Sequence, residues 1–417
     1  MREPKFAAWV GLDWADKRHW VCLCPQGSDQ MESYPLRQRP EAIRDWLGGL
    51  RKRFEGRPVA VVVEQSRGAL LYALMECPLV TIIPVNPKSF ANYRKALRVS
   101  GAKDDCSDAE LLLRFGREHR RRLPEWRPET PGVRALRLLA EQRRKLVHQR
   151  TAVSNRLRQL LKEYFPQVLA WFPELSSRML REFLTRWPTL EKARRAHRRS
   201  LEKFFRRHRR SAAKTQTTVA EIKRAVALTH DEAVLAVHPK LAGISLRQLQ
   251  LLQEAIGQLE EEIRTWFQRQ SDAFVFASFP GAGEALAPRL LAAFGTDRDR
   301  FDAVRMQCYS GIAPVTESSG DSCWVHHRWI CPKFLKQTFY EFAECSLPQS
   351  AWAHAFYRYK RQGGFSHEKA VRALAFKWNR VLTRCWQDRT TYSEETYQQA
   401  LRRRHSPVIA FLDTQTE

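Results

Sequence analysis

The sequence lacks any uninterrupted apolar run long enough to cross a bilayer. Its longest apolar region, "LLYALMECPLVTIIPV", is broken by Glu76, Pro78 and Pro84 and is too short to span. Nothing at the N-terminus reads as a secretory leader: "MREPKFAAWVGLDWADK" goes straight into an alternating, charged pattern. Paired cysteine spacing is missing too. Nine cysteines scattered through 417 residues imply reduced thiols and a cytoplasmic setting rather than a disulfide framework. The scarcest commodity is negative charge, with 45 Asp and Glu against 71 Lys and Arg, a net +26. That balance excludes an acidic, nucleic-acid-avoiding protein and implies a polyanionic partner. A chain of this length has room for two or three cores.

What is present begins with an α/β pattern over residues 1–125. "FAAWVGLDW", "HWVCLCP" and "QMESYPL" alternate as three successive strands, and "EAIRDWLGGLRKRF" is an amphipathic helix. "PVAVVVEQ" is a β-branched run suited to a buried strand. A helix over "GALLYALMEC", a strand at "LVTIIPV" and helices over Pro87–Val99 and Ser107–Glu118 follow. A three-strand meander followed by alternating helices and strands is the order of an RNase H-like fold.

Residues 126–270 read as basic and helical. Between Lys192 and Lys214 there are eleven Lys or Arg and one acid, Glu202. Arg194, Arg195, Arg198, Arg199, Arg206, Arg207, Arg209 and Arg210 are therefore candidate phosphate contacts. Trp171, Phe172, Phe204 and Phe205 lie in or near this run and either stack on bases or anchor the helices to a core. Leu249, Leu252, Ile256, Leu259, Ile263 and Trp266 step as a heptad seam, with a weaker one through Leu136, Leu139, Leu146, Val153, Leu157 and Leu160. The regular seam favours a subunit interface, against an antiparallel pair within one chain. Residues 271–390 open on "FASFPGAGEALAPRLLAAFG", a helix-hairpin-helix pattern in which Gly281 and Gly283 would let backbone amides approach a phosphate. "CWVHHRWIC" has zinc-ligand residue types but not a zinc-finger spacing. Residues 391–417 read as a tail.

Against the basic background, "AKDDCSDAELL" crowds Asp104, Asp105, Asp108 and Glu110 together. Asp105 and Asp108, three apart at a helix start, share one face, where capping is the plain explanation. Asp13 interrupts an apolar strand and Glu64 ends another. In an RNase H-like sheet those two positions are neighbours, and a following helix can deliver its carboxylates to the same edge. Four carboxylates there make an oxygen-donor site of the kind Mg²⁺ takes.

These segments, with "VVVEQSRGALLYAL", "VNPKSFANYRKALRVSGAKDDCSDAELL" and "FPGAGEALAPRLLAAFGTDRDRF…YSGIAPVTESSG" in order, resemble the DEDD transposases of bacterial insertion sequences, the bridge-RNA-guided recombinases. The resemblance spans essentially the whole chain. It implies a RuvC-like N-terminal domain, a helical coiled-coil region and a C-terminal transposase domain with a nucleophilic serine. Carried over, the acidic tetrad is Asp13, Glu64, Asp105 and Asp108, binding Mg²⁺, and the serine is Ser319 rather than Ser318. The family's "K-T-D-R-x-D-A" stands here as "KDDCSDA", and its glycine-rich segment after the serine is replaced by "DSCWVHHRWICPKFLKQ". The resemblance further implies donor and target DNA, a structured guide RNA and a tetramer assembled from dimers. The competing readings are a RuvC-like nuclease that cuts branched DNA with water and a non-catalytic nucleic-acid-binding protein.

Overall fold

The computed structural model describes residues 5–64, 68–97 and 104–413. The chain divides into two compact units, residues 1–128 and 129–417.

In the first unit β1 (Ala8–Asp13), β2 (Arg18–Pro25) and β3 (Glu32–Arg37) form an antiparallel meander. After α1 (Pro40–Arg53), β4 (Val59–Val63) joins parallel to β1; after α2 (Ala69–Met75), β5 (Val80–Pro84) joins parallel to β4. The resulting order, β3-β2-β1-β4-β5, is consistent with an RNase H-like sheet. Both faces are covered, which is why β4 is apolar at every position and wholly buried. Val10, Leu12, Val61 and Val63 face the side of α1 and α2. Trp9, Ala60 and Val62 face the other side, with α3 (Pro87–Leu97) and α4 (Asp105–Glu118).

Glycine decides how close α4 comes. A Cβ on Gly11 would stand 1.9 Å from the Ala109 carbonyl oxygen, and one on Gly116 2.4 Å from Val62. The α4 backbone therefore lies directly on β1, a separation that no larger residue at Gly11 would permit.

The turn after β1 is fastened by a buried neutral histidine. His19 accepts from the Ala15 amide at Nδ1 (3.2 Å), and its Nε2 lies 2.6 Å from Gln38 Oε1, which sets the Nε2–H tautomer. Burial pushes the His19 pKa down, against a smaller upward pull from Gln38. The unfolded chain takes up this proton first. Stability should thus be full above about pH 6.5 and fall as pH drops, by at most about 1.4 kcal/mol per pH unit for one proton. Urea titrations of wild type and His19→Gln between pH 7 and 5 check this, the variant being expected to lose part of that pH slope.

The second unit is built on two long helices, α5 (Pro131–Tyr164) and α11 (Glu232–Gln268), reached through α6 (Gln167–Trp171), α7 (Arg178–Arg186), α8 (Leu190–Arg195), α9 (Arg198–Arg207) and α10 (Ala212–Arg224). Arg143 Nε donates to Glu260 at 2.9 Å and His238 pairs with Glu163 at 2.7 Å, so the two helices run antiparallel. The heptad seam is spent here: Leu249, Ile256 and Ile263 are buried within the chain, as are Leu136 and Leu157. This corrects the expectation of a subunit interface along that seam.

One end of the pair carries a core shared with α6–α10, in which Trp171, Phe172, Phe204 and Phe205 are buried around Phe183. These rings anchor the basic helices and have no face to offer a base. The other end joins α12 (Ala273–Ala277), α13 (Gly283–Phe294), α14 (Ala303–Tyr309), the hairpin β6 (Val315–Ser319) and β7 (Ser322–His326), then α15 (Lys333–Ser346), α16 (Ala351–Gln362) and α17 (His367–Asp388). Trp352, Trp378 and Trp386 are fully buried there, and each indole N–H is satisfied, by Tyr392 Oη, Ser346 Oγ and the Gly295 carbonyl. The segment expected to be a tail contributes α18 (Glu394–Arg403) and α19 (Ile409–Asp413), whose Leu401, Val408 and Leu412 are buried in the same core. Among the described residues no helix is long and apolar enough to cross a membrane.

Candidate active site and nucleic-acid interface

The register Gly11↔Val62 and Leu12↔Val63 brings Asp13 and Glu64 side by side at the ends of adjacent parallel strands. Period-two alternation puts Asp13 on the Gly11 face and Glu64 on the Val62 face, the side that α4 covers. Asp108 precedes Ala109, the residue lying on Gly11, and is 1 % exposed. Three acids thus border one edge of the sheet. Asp105, one turn earlier on α4, is exposed. Asp104 has another occupation: it is the N-cap of α4, its carboxylate accepting from the Ser107 amide at 3.2 Å.

Asp108 is the most constrained acid of the set. Its Oδ2 accepts from Arg94 of α3 at 2.7 Å, while its Oδ1 is buried and has no hydrogen-bond partner among the described residues. A buried carboxylate oxygen left without a donor is a costly arrangement. Nothing in the sequence marked Arg94, since its partner lies fourteen positions on and in another helix. Carboxylate oxygens at the end of a sheet suit a hard cation such as Mg²⁺ in chemistry and placement. The side chains are not gathered, however: among the described residues no three His, Cys, Asp or Glu groups stand together as a ligand set.

Ser319 occupies the last position of β6, opposite Ser322, at a two-residue turn whose Gly320 has φ +55°. Both strands stand out in solvent, and Ser318 and Ser319 are exposed. Alternation and register place Ser319, Glu317, Trp324 and His326 on one face, Ser318 and Cys323 on the other. His326 Nε2 lies 3.6 Å from Glu317 Oε2, and His327 accepts from Arg372 at 2.8 Å. Among the described residues none hydrogen-bonds the Ser319 hydroxyl, so none is paired with it as a general base.

The basic run divides into spent and free residues. Arg210 is spent: its guanidinium lies over Phe205 at 5.1 Å and donates to the Trp171 carbonyl at 3.2 Å, and burial lowers its pKa. Arg198 pairs with Glu202 at 2.9 Å and Arg207 with Glu182 at 2.7 Å. Arg194, Arg195, Arg199, Arg206 and Arg209 are exposed. Beside them runs a groove of about 1060 Å³ between α7–α9 and the first half of α11. Arg181, Arg186, Lys192 and Arg207 line one wall and Lys240 and Arg247 the other, with Glu182 the single acid. Sequence reasoning missed Arg181, Arg186, Lys240 and Arg247, because the folding of α11 against α7 sets two separate stretches of chain face to face.

In the turn between α12 and α13, Gly281 (φ +78°) donates its amide to Gln349 Oε1 at 2.8 Å, and a Cβ there would stand 2.3 Å from the Cys345 carbonyl oxygen. Its glycine character is explained by packing against α15. Gly283 (φ +50°) is exposed, with open space around it.

Comparison with known proteins agrees with this layout. A DEDD-type, IS110 transposase model matches residues 10–166, and the model of the IS116/IS110/IS902 transposase family matches residues 274–358. The chain is 29% identical over 413 residues to the mini-circle putative transposase for IS117 of Streptomyces coelicolor, covering 95% of this chain and 97% of that protein. It is 27% identical over 404 residues to the uncharacterized 44.8 kDa protein of insertion element IS116 from Streptomyces clavuligerus, covering 92% and 96%. Over 401 residues it is 24% identical to the uncharacterized 42 kDa protein of IS900 from Mycobacterium paratuberculosis, covering 93% and 98%. With both models matched in order and relatives aligned almost end to end, the chain belongs to the IS110/IS116/IS117 family of DEDD-type transposases.

Proposed function

We propose that this transposase excises and inserts its element through a serine-linked intermediate, directed by a guide RNA. What supports the reading is the placement of Asp13, Glu64 and Asp108 along one edge of the sheet, with Asp108 Oδ1 buried and without a hydrogen-bond partner among the described residues. Asp13, Glu64, Asp105 and Asp108 would hold Mg²⁺ in a RuvC-like site, which supplies positive charge against a phosphodiester in its transition state.

The chain's own residues do the rest. Ser319 Oγ attacks phosphorus and gives up its proton as the O–P bond forms. The bond from phosphorus to the departing sugar oxygen breaks, and that oxygen takes up a proton, leaving a 5′- or 3′-phosphoserine link. Rejoining reverses these steps with a new strand. The solvent position of the hairpin leaves Ser319 open to a partner, and in a tetramer built from dimers the carboxylates of one subunit would serve the serine of another. Sequence choice would come from RNA pairing with donor and target, the protein holding the duplexes by backbone and shape.

The test is direct. Protein, target DNA and RNA transcribed from the non-coding flank of the gene are mixed, then denatured. A protein–DNA adduct surviving denaturation is expected. A RuvC-like nuclease using water would cut without an adduct, and a binding protein would leave the DNA intact.

The groove between α7–α9 and α11 is where the nucleic acid would lie. Replacing Arg186, Lys240 and Arg247 together with alanine should reduce the slope of log K against log salt by about 2 to 3, at 0.7 to 0.9 per lost phosphate contact. Equal slopes for wild type and variant, measured by fluorescence anisotropy, would remove the groove from the interface.

A further inference from the structure

The segment after the β6–β7 hairpin carries an indole that is not packed into the core. Trp329 is 80 % exposed, whereas Trp352, Trp378 and Trp386 are fully buried. Its backbone is pinned on both sides. Arg328 donates from Nε to the Ala313 carbonyl at 3.3 Å, and the Cys331 sulfur packs where a Cβ on Gly311 would stand, 2.2 Å away. The ring is thus held out from a fixed loop.

Its surroundings are cationic. Lys336 Nζ lies 5.8 Å from the indole centroid, and the His327 ring lies 6.2 Å away at 58°. Arg372 donates to His327 Nδ1 at 2.8 Å, which keeps that imidazole neutral. Burial lowers the His327 pKa, and Arg372, Lys336 and Lys369 push it the same way. An exposed indole with Lys336 over one face, next to a histidine flanked by Arg372 and Lys369, matches one ligand chemistry: a nucleobase on the indole with its phosphates on the cations.

We propose that Trp329 is a stacking platform for an unpaired nucleotide of the bound nucleic acid, with Lys336 and Arg372 holding the flanking phosphates. A base inside a duplex has both faces covered, so the platform takes a strand opened or frayed beside the hairpin. The inference rests on nucleic-acid binding by the transposase and not on the role of Ser319.

Trp329→Ala, Trp329→Phe and Lys336→Ala with Arg372→Ala are each compared with wild type. The probes are a labelled single-stranded DNA oligomer, a single-stranded RNA oligomer and a blunt DNA duplex. Trp329→Ala should weaken single-strand binding roughly 5- to 150-fold, the range of one base–aromatic stack. Trp329→Phe should keep most of the affinity, and duplex binding should stay within about twofold for both, as no stack is lost there. Loss on the DNA oligomer, the RNA oligomer or both assigns the strand. The double variant should lower the single-strand salt slope by about 1.4. Equal losses on duplex and single strand, or none, would overturn the proposal. So would a change in sedimentation of the nucleic-acid-free Trp329→Ala protein, because the patch would then belong to a subunit interface.

Discussion

Alanine at Asp13, Glu64, Asp105 or Asp108 is expected to cut excision and insertion by roughly a hundredfold or more, while DNA and RNA affinity stays within about twofold. The size of the first effect follows from removing charge stabilisation at a phosphodiester in flight, where one lost group commonly costs 10²–10³ in rate. The constancy of affinity follows because the cations reside elsewhere, along α7–α9 and α11. Asp104→Ala is the internal control. It removes the N-cap of α4 and should cost about 1 kcal/mol of stability with activity largely kept. Melting curves and a transposition assay on the five variants separate the cases. Loss of activity in Asp104→Ala with retention in Asp105→Ala would move the site by one residue. Asp108→Ala carries a second consequence, since it leaves Arg94 without its carboxylate. Asp108→Asn, which keeps the shape and one acceptor oxygen, should fold better than Asp108→Ala and be as inactive.

The N-terminal sheet was legible because its strands obey alternation and β4 is β-branched at four of five positions, so period and composition agree. The placement of Asp13 beside Glu64 was legible for the same reason: register follows from which face must be buried. What escaped was set by long-range packing. A heptad seam reads alike whether its partner is another chain or α5, and here Arg143–Glu260 and His238–Glu163 show that it is α5. Phe204 and Phe205 sit among arginines in the chain yet are buried in space, because α9 is short and turns its apolar face inward. The last residues read as a tail since their apolar positions, Leu401, Val408 and Leu412, are too sparse to form a periodic signal. Gly281 carried a correct turn signal, but the reason for glycine is the Cys345 carbonyl against it.

Ser319→Ala is expected to abolish the covalent protein–DNA intermediate, whereas Ser318→Ala leaves it. The hairpin register explains the contrast, since adjacent residues of β6 point to opposite faces and only Ser319 shares one with Glu317, Trp324 and His326. A serine hydroxyl is a weak nucleophile at neutral pH and needs help to lose its proton. Among the described residues none hydrogen-bonds the Ser319 hydroxyl; His326 lies beside Glu317 and His327 accepts from Arg372. We propose that activation arrives with the assembled complex, from the acid edge of another subunit. Mixing makes this measurable. A Ser319→Ala protein and an Asp105→Ala protein are each inactive, but assemblies containing both hold some sites with an intact serine facing an intact acid set. Random mixing in equal amounts gives one such pairing in four for each serine–acid site, so activity should recover to about a quarter or less of wild type. Co-purification of differently tagged subunits establishes that mixed assemblies form. Absence of any recovery once co-assembly is demonstrated would mean that serine and carboxylates act within the same subunit.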